Sequence, residues 1–212
     1  MTAAPALVAV FVDESCLGNG REGDNPGAAA GVIELPPAAK DPRPRLDFWL
    51  SEPATTNNRM AIRSAIAALG IIAAMPGELG IIFTSDSKYL VDGMRDWVPG
   101  WIRRGWRRKE GPIKNLPLWQ ELAAASRTMR IDWRWVRGHE GHPQNEYANF
   151  LAVRAATQLD QSRGAVPSEF DVWYAAERAK GRVRAAPDAL PDAHTFRPAP
   201  PLPPEPAASL FG

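Results

Sequence analysis

Two aspartates stand where short apolar runs end. Leu7 to Val12 reads as a buried strand entering Asp13, and Gly80 to Thr84 as another that delivers Asp86 at its C-terminal edge. A carboxylate there offers hard oxygen to a cation, but taken alone it is more often a turn former or a helix cap. Between Trp101 and Lys114, Arg103, Arg104, Arg107, Arg108, Lys109 and Lys114 face a single acid, Glu110, for a local charge of +5. Such a block beside tryptophans suits contact with phosphates; a solvated helix face is the other reading of the same run. Of the three histidines only His139 and His142 are close in sequence, and Cys16 is the single cysteine. That pattern argues against a zinc centre and excludes an intramolecular disulfide framework.

The elements that must hold these groups follow from periodicity. Ala28 to Leu35 and Leu46 to Leu50 read as second and third strands, so the chain opens as an antiparallel meander. Asn57 or Asn58 is expected to cap a helix whose apolar residues Met60, Ile62, Ala65, Ile66, Leu69 and Ile72 recur at helical spacing until Pro76-Gly77. Ser87 to Trp97 and Leu116 to Arg127 read as helices. Met129 to Val136 reads as a fifth strand with alternating Ile131, Trp133 and Trp135, and Asn145 to Leu159 as an alanine-rich helix. Pro167 to Arg184 could form one more amphipathic helix, with Phe170, Trp173 and Tyr174 on its apolar side.

Composition sets the outer limits. The 212 residues are 45% hydrophobic, enough for one full domain and its core. Prolines at 187, 191, 198, 200, 201, 203, 204 and 206 favour disorder or extended polyproline conformations in the final segment. The expected organisation is a domain over 1–160, a helical appendage over 161–186 and a disordered Pro/Ala-rich tail over 187–212. A net charge of +1 announces no nucleic-acid binder. With no signal-peptide pattern and no long apolar run, a cytoplasmic, monomeric protein without a membrane span is the expectation.

Local sequences sharpen this layout. Asp13-Glu14-Ser15-Cys16-Leu17-Gly18-Asn19 resembles the first-strand motif of the ribonuclease H family. Thr55-Thr56-Asn57-Asn58-Arg59-Met60 resembles the opening of its first helix, and Thr84-Ser85-Asp86-Ser87-Lys88-Tyr89 its fourth-strand motif. Trp97 to Trp119 is similar to the basic protrusion of the bacterial type 1 enzymes. Trp135-Val136-Arg137-Gly138-His139, followed by Gly141 to Glu146, resembles the catalytic-histidine loop. The resemblance runs in family order from about residue 7 to 157. It implies an α/β ribonuclease H-like fold, a five-stranded mixed sheet flanked by helices, followed here by a C-terminal helix and the Pro-rich tail.

It also implies an activity: metal-dependent cleavage of the RNA strand of RNA/DNA hybrids. Two Mg²⁺ ions roughly 4 Å apart would activate water and stabilise the leaving oxygen, with Mn²⁺ as an alternative metal. Asp13 and Asp86 match two of the four family carboxylates, and His139 the histidine that assists proton transfer. The helix acid that follows Asn-Asn-Arg-Met is here Ala61, and the last acid aligns with Asn149, whose amide oxygen is a weak, uncharged ligand.

Three accounts of that loss are open. A nearby acid could substitute, among Glu14, Glu140 and Glu146. Glu146 is the preferred one, because on a continuing strand Glu14 would point opposite to Asp13. The chain could instead be a catalytically silent module that binds hybrids or double-stranded RNA. Ala and Asn are also the usual choices for deliberate inactivation. An attenuated hybrid-specific endoribonuclease is the reading taken forward.

For the substrate, the resemblance points to Asn19, Thr56, Asn57, Asn58 and Asn115 as backbone, minor-groove and phosphate contacts. Short amides and hydroxyls can pair with 2′-hydroxyls without reading sequence. Trp101 and Trp106 are the tryptophans expected to stack on sugars. Ser209-Leu210-Phe211 resembles the close of a sliding-clamp-binding peptide, although an arbitrary apolar end explains it as well.

Overall fold

A computed structural model describes residues 5–18, 25–39, 41, 43–138, 140–189 and 192–205. Strands β1 (Ala6–Cys16), β2 (Gly27–Glu34) and β3 (Arg45–Glu52) form the expected meander. Helix α1 (Asn57–Ala73) then leads into β4 (Leu79–Ser85), which pairs parallel to β1. Residues 88–103 run as one continuous helical stretch: α2 (Lys88–Asp92), a π-helical turn at Gly93–Trp97, and α3 (Val98–Arg103). The π turn sits where Gly93 lets the Trp119 ring approach, for a Cβ there would overlap that indole. After α4 (Leu116–Ser126), β5 (Arg130–Trp135) adds parallel to β4, and α5 (Pro143–Gln158) crosses the opposite face.

Among the described residues the sheet has six strands rather than five, in the order β5-β4-β1-β2-β3-β6. The extra one, β6 (Val166–Pro167), is a two-residue edge strand antiparallel to β3. So short a strand carries no periodicity, and its proline sits at an edge, where a missing N–H costs nothing. Beyond it, α6 covers Phe170–Ala179 only, shorter than the expected 167–184.

Alternation divides the core. Val8, Val10 and Val12 pack with Ala61, Ile62 and Leu69 of α1 on one face of the sheet. Ala9 and Phe11 pack with Tyr147 and Leu151 of α5 and Phe170 of α6 on the other. Burying each of the valine, leucine, isoleucine and phenylalanine side chains contributes roughly 1.5–3 kcal/mol, so the two layers fix the sheet between them.

The proline-rich segment was expected to be disordered or extended. Its described residues 192–205 have one 3₁₀ turn (Ala193–Thr195) and otherwise irregular backbone, laid along β5. The Ala199 N–H donates to the Ile131 carbonyl at 2.8 Å, and the Arg197 N–H to the Asp132 carboxylate at 2.9 Å. Phe196 is buried and Leu202 packs on the core. Composition counts too few apolar residues for a core of its own; these instead complete a core built by the rest of the chain and cover an edge strand.

Candidate active site

The register of β1 against β4 builds the site. Their pairing ends at Val12 with Ser85, while β1 continues against β2, with Asp13 opposite Ala30. Asp13 is therefore not at a strand end, as expected, but at the point where its neighbour strand stops. Asp86, the first residue past β4, turns into the gap. Ligand oxygens of Asp13, Glu14 and Asp86 all lie within 4.8 Å of one another.

Glu14 is the correction here. Alternation does place it on the α1 face of β1, opposite Asp13, as the sequence argument held. Past Ser85, however, no β4 residue separates the two faces, and a glutamate is long enough to bring its carboxylate back to the gap. On that face the resembling helix acid is absent, because position 61 holds a fully buried alanine methyl. The useful signal in the sequence was thus the pair of an acid gained at 14 and an acid missing at 61 on one face. Glu146, the preferred substitute, lies in the first turn of α5 and raises the Asp13 pKa through its charge, but it is outside the three-acid cluster.

The electrostatics are those of a cation site. Burial, then the charges of Asp86 and Glu146, push Asp13 up to about 8, against a partly offsetting hydrogen bond from the Glu14 N–H at 2.7 Å. Burial first, then Asp13 and Asp86, hold Glu14 well above the carboxylate range, with a hydrogen bond to Ser87 opposing them. The Glu14 Oε2 is sealed from solvent and has no hydrogen-bond partner among the described residues. Three carboxylates this close repel one another strongly in a low-dielectric setting unless positive charge or protons join them. A divalent cation with a preference for oxygen fits this donor set.

The surroundings keep the cluster in place. The Ser85 hydroxyl accepts from the Ser87 N–H at 3.0 Å, and the Trp135 indole N–H donates to the Asp86 carbonyl at 2.9 Å. Lys88 lies 5.1 Å from the Trp135 ring centre. Gly138 borders Asp86 so tightly that a Cβ would overlap Oδ2. His139 lies outside the described residues, as do Asn19 and Ser209-Leu210-Phe211. Asn149 is half-buried on α5, one turn beyond Asn145, whose side-chain amide donates to the Val12 carbonyl at 3.4 Å.

The proposed substrate contacts are redistributed. Thr56, not an asparagine, caps α1, its hydroxyl accepting from the Arg59 N–H at 3.3 Å. Relieved of that duty, Asn58 is exposed, and Asn57 is half-buried with a solvent-sealed Oδ1 lacking a partner among the described residues. Asn115 stands at the start of α4 in a left-handed conformation (φ 57°), its amide 3.4 Å from the Tyr89 hydroxyl. Trp101 is only 9% exposed and packs edge-on against Trp119, so it belongs to the core. Trp97, which helical spacing could not separate from it, is 37% exposed, so of these two indoles it is the one with an open surface. Trp106 is half-buried and donates its indole N–H to the Glu205 carboxylate at 3.1 and 3.3 Å.

Comparison with known proteins agrees with this geometry. Residues 5–157 match the family model described as RNase H. A ribonuclease H of Dechloromonas aromatica is 38% identical over 157 residues, covering 74% of this chain and 97% of that protein. One of Shewanella loihica is 41% identical over 169 residues, covering 79% and 94%. Among solved structures, LC9-RNase H1, described as a type 1 RNase H with the type 2 active-site motif, superposes with a TM-score of 0.87. It is 52% identical and covers 98% of this chain and 99% of its own.

Proposed function

Because the chain belongs to the RNase H family, we propose that it hydrolyses the RNA strand of RNA/DNA hybrids, with Asp13, Glu14 and Asp86 as its carboxylate set. The meeting of those three acids carries the reading. Glu14 supplies from β1 the charge that Ala61 cannot supply from α1, and Asn149 adds a neutral amide oxygen. A departure of this kind has company: LC9-RNase H1, itself a type 1 enzyme, is described as having a different active-site motif.

Mg²⁺, or Mn²⁺ in its place, would supply the positive charge that lowers the pKa of the attacking water and steadies the leaving 3′-oxygen. The chain's own residues do the rest. Asp13, Glu14 and Asp86 would hold the cations, and with the Asp13 and Glu14 pKa values raised those two would give up protons on binding them. His139, which follows Gly138 in sequence, would carry a proton to the departing 3′-oxygen, the role that the family resemblance implies. Thr56, Asn57, Asn58 and Asn115 offer short polar groups to the hybrid's backbone, with Asn19, between β1 and β2 in sequence, as a further candidate. Trp97 offers a ring face, and the cationic run from Arg103 to Lys114 attracts the phosphates.

The test is cleavage of an end-labelled hybrid with Mg²⁺ and with Mn²⁺, using Asp13→Asn and Glu14→Gln as controls. Cleavage that either substitution abolishes is the expected result. Tight binding of hybrid with no cleavage in either metal would replace this reading with that of a binding module.

A further inference from the structure

The family model ends at residue 157, yet the chain beyond it returns to the site's supporting loop. After β6 and α6, Val183 is buried, and the next residues reach the start of α5. There Asp188 is held at three points. Its N–H donates to the Gln144 Oε1 at 3.2 Å, its carbonyl accepts from the Gln144 amide at 3.4 Å and from Arg43, and its carboxylate lies 2.9 Å from the His142 Nε2. Behind this contact the fully buried Glu34 pairs with Arg43 at 2.8 Å and Arg45 at 2.9 Å, and Arg45 pairs in turn with Asp171 of α6.

His142 is an unusual helix cap. Its Nδ1 accepts from the Asn145 N–H at 3.4 Å, a task that needs that nitrogen unprotonated, and its carbonyl accepts from the Glu146 N–H at 2.9 Å. The proton then belongs on Nε2, where the Asp188 carboxylate accepts it. The same hydrogen bond, with the nearby cationic charge, holds the Asp188 carboxyl below its usual range. On its other side the His142 ring packs against Phe11 of β1, centroids 5.3 Å apart. His142 thus stands between Gly138, which borders Asp86, and α5, which carries Asn149 and is tied to β1 by Asn145.

We propose that Asp188 is a positioning residue, through which the C-terminal extension fixes the His142 tautomer and so sets Gly138 and the start of α5 against the acidic cluster. This rests on the hybrid-cleaving reading above for its kinetic consequence, but not for its geometry. A carboxylate that orients an imidazole from behind is the arrangement that supporting groups use around metal sites, where its loss costs roughly 10–100-fold in activity.

The experiment uses the full-length chain with Asp188→Ala and Asp188→Asn. The side chain is 56% exposed, so shortening it spares packing and leaves the backbone contacts of residue 188 in place. Asp188→Ala should lower kcat about tenfold with KM for hybrid nearly unchanged. Asp188→Asn should recover most of that, because its amide oxygen still accepts from Nε2–H. Nitrogen-15 NMR of the His142 ring should show one Nε2–H tautomer in the wild type and in Asp188→Asn, and a mixture in Asp188→Ala. An unchanged kcat in Asp188→Ala, or Asp188→Asn as impaired as Asp188→Ala, overturns the proposal. If the wild type cuts no hybrid, the functional reading falls by itself, and the NMR still decides the positioning role: equal tautomer populations in wild type and Asp188→Ala refute it.

Discussion

Gly138 stands against Asp86 with no room for a side chain: a Cβ built on its backbone overlaps the Asp86 Oδ2 and lies 3.2 Å from its Cγ. Gly138→Ala must therefore move either the loop or the carboxylate. A shift of that kind in a metal site should raise the Mg²⁺ concentration for half-maximal cleavage at least tenfold, while overpacking costs about 1–3 kcal/mol of stability. A Mg²⁺ titration of initial rates measures the first and thermal melting the second. An unchanged titration would mean that Asp86 has more freedom than the geometry gives it.

Glu14→Gln removes one charge from the cluster and keeps the side chain's shape. Cleavage should fall by at least the roughly 10–100-fold that loss of a supporting ligand costs. If Glu14 stands in for the acid missing at 61, adding Ala61→Glu to Glu14→Gln should restore part of the rate. Ala61→Glu alone should destabilise the protein, since it brings a fourth acid into a fully buried position. Single-turnover rates for the three variants decide it.

Asp13 ties the site to pH. Its carboxyl is raised from 3.8 to about 8, so the folded, metal-free chain keeps a proton that the unfolded chain releases. The stabilisation from that proton is complete below pH 3.8 and is lost as pH rises through about 8. Asp13→Asn should accordingly melt higher than wild type without metal, by a margin that grows from pH 5 to 8.5, at roughly 2–4 °C per kcal/mol. Saturating Mg²⁺ should narrow the margin by stabilising only the wild type. A wild type that melts higher than the variant at pH 8.5 without metal would contradict the repulsion described here.

The two tryptophans of the helical stretch should separate cleanly. Trp97→Ala, at a 37% exposed ring, should weaken hybrid binding, with about 1–3 kcal/mol at stake if the ring stacks, and leave the melting temperature nearly unchanged. Trp101→Ala should instead cost about 3–5 kcal/mol of stability, because it empties space beside Trp119. Hybrid titrations and melts of both variants provide the comparison.

Binding should also be strongly salt-dependent. The run from Arg103 to Lys114 holds six cations against Glu110. Each phosphate neutralised contributes close to one unit of negative slope to log affinity against log salt. Arg103→Ala/Arg104→Ala should reduce that slope, as fluorescence anisotropy across 50–200 mM salt would show; a flat dependence in the wild type would remove the protrusion from the interface.

Much of this molecule was legible in its residues. Apolar runs gave the meander, and helical periodicity gave α1, α4 and α5, close to their observed bounds, because burial marks an element wherever it is long enough to show a run or a period. Asp13 and Asp86 stood out because each follows an apolar run at a matching motif. Short or unpatterned parts were not legible: β6 is two residues long, and the hydrogen bonds of the segment over 192–205 with β5 and Arg127 are not announced by its own composition.

The sequence by itself determined which faces of each strand and helix are apolar, since that depends only on residue order. Where β4 stops beside β1, and hence that Glu14 joins Asp13 and Asp86, was decided by the tertiary structure alone. So were the burial of Trp101 and the grip of Asp188 on His142. Alternation fixes the side from which a side chain leaves its strand, but what that side chain meets depends on neighbours brought from far along the chain, and those distances exist only once the layers have packed.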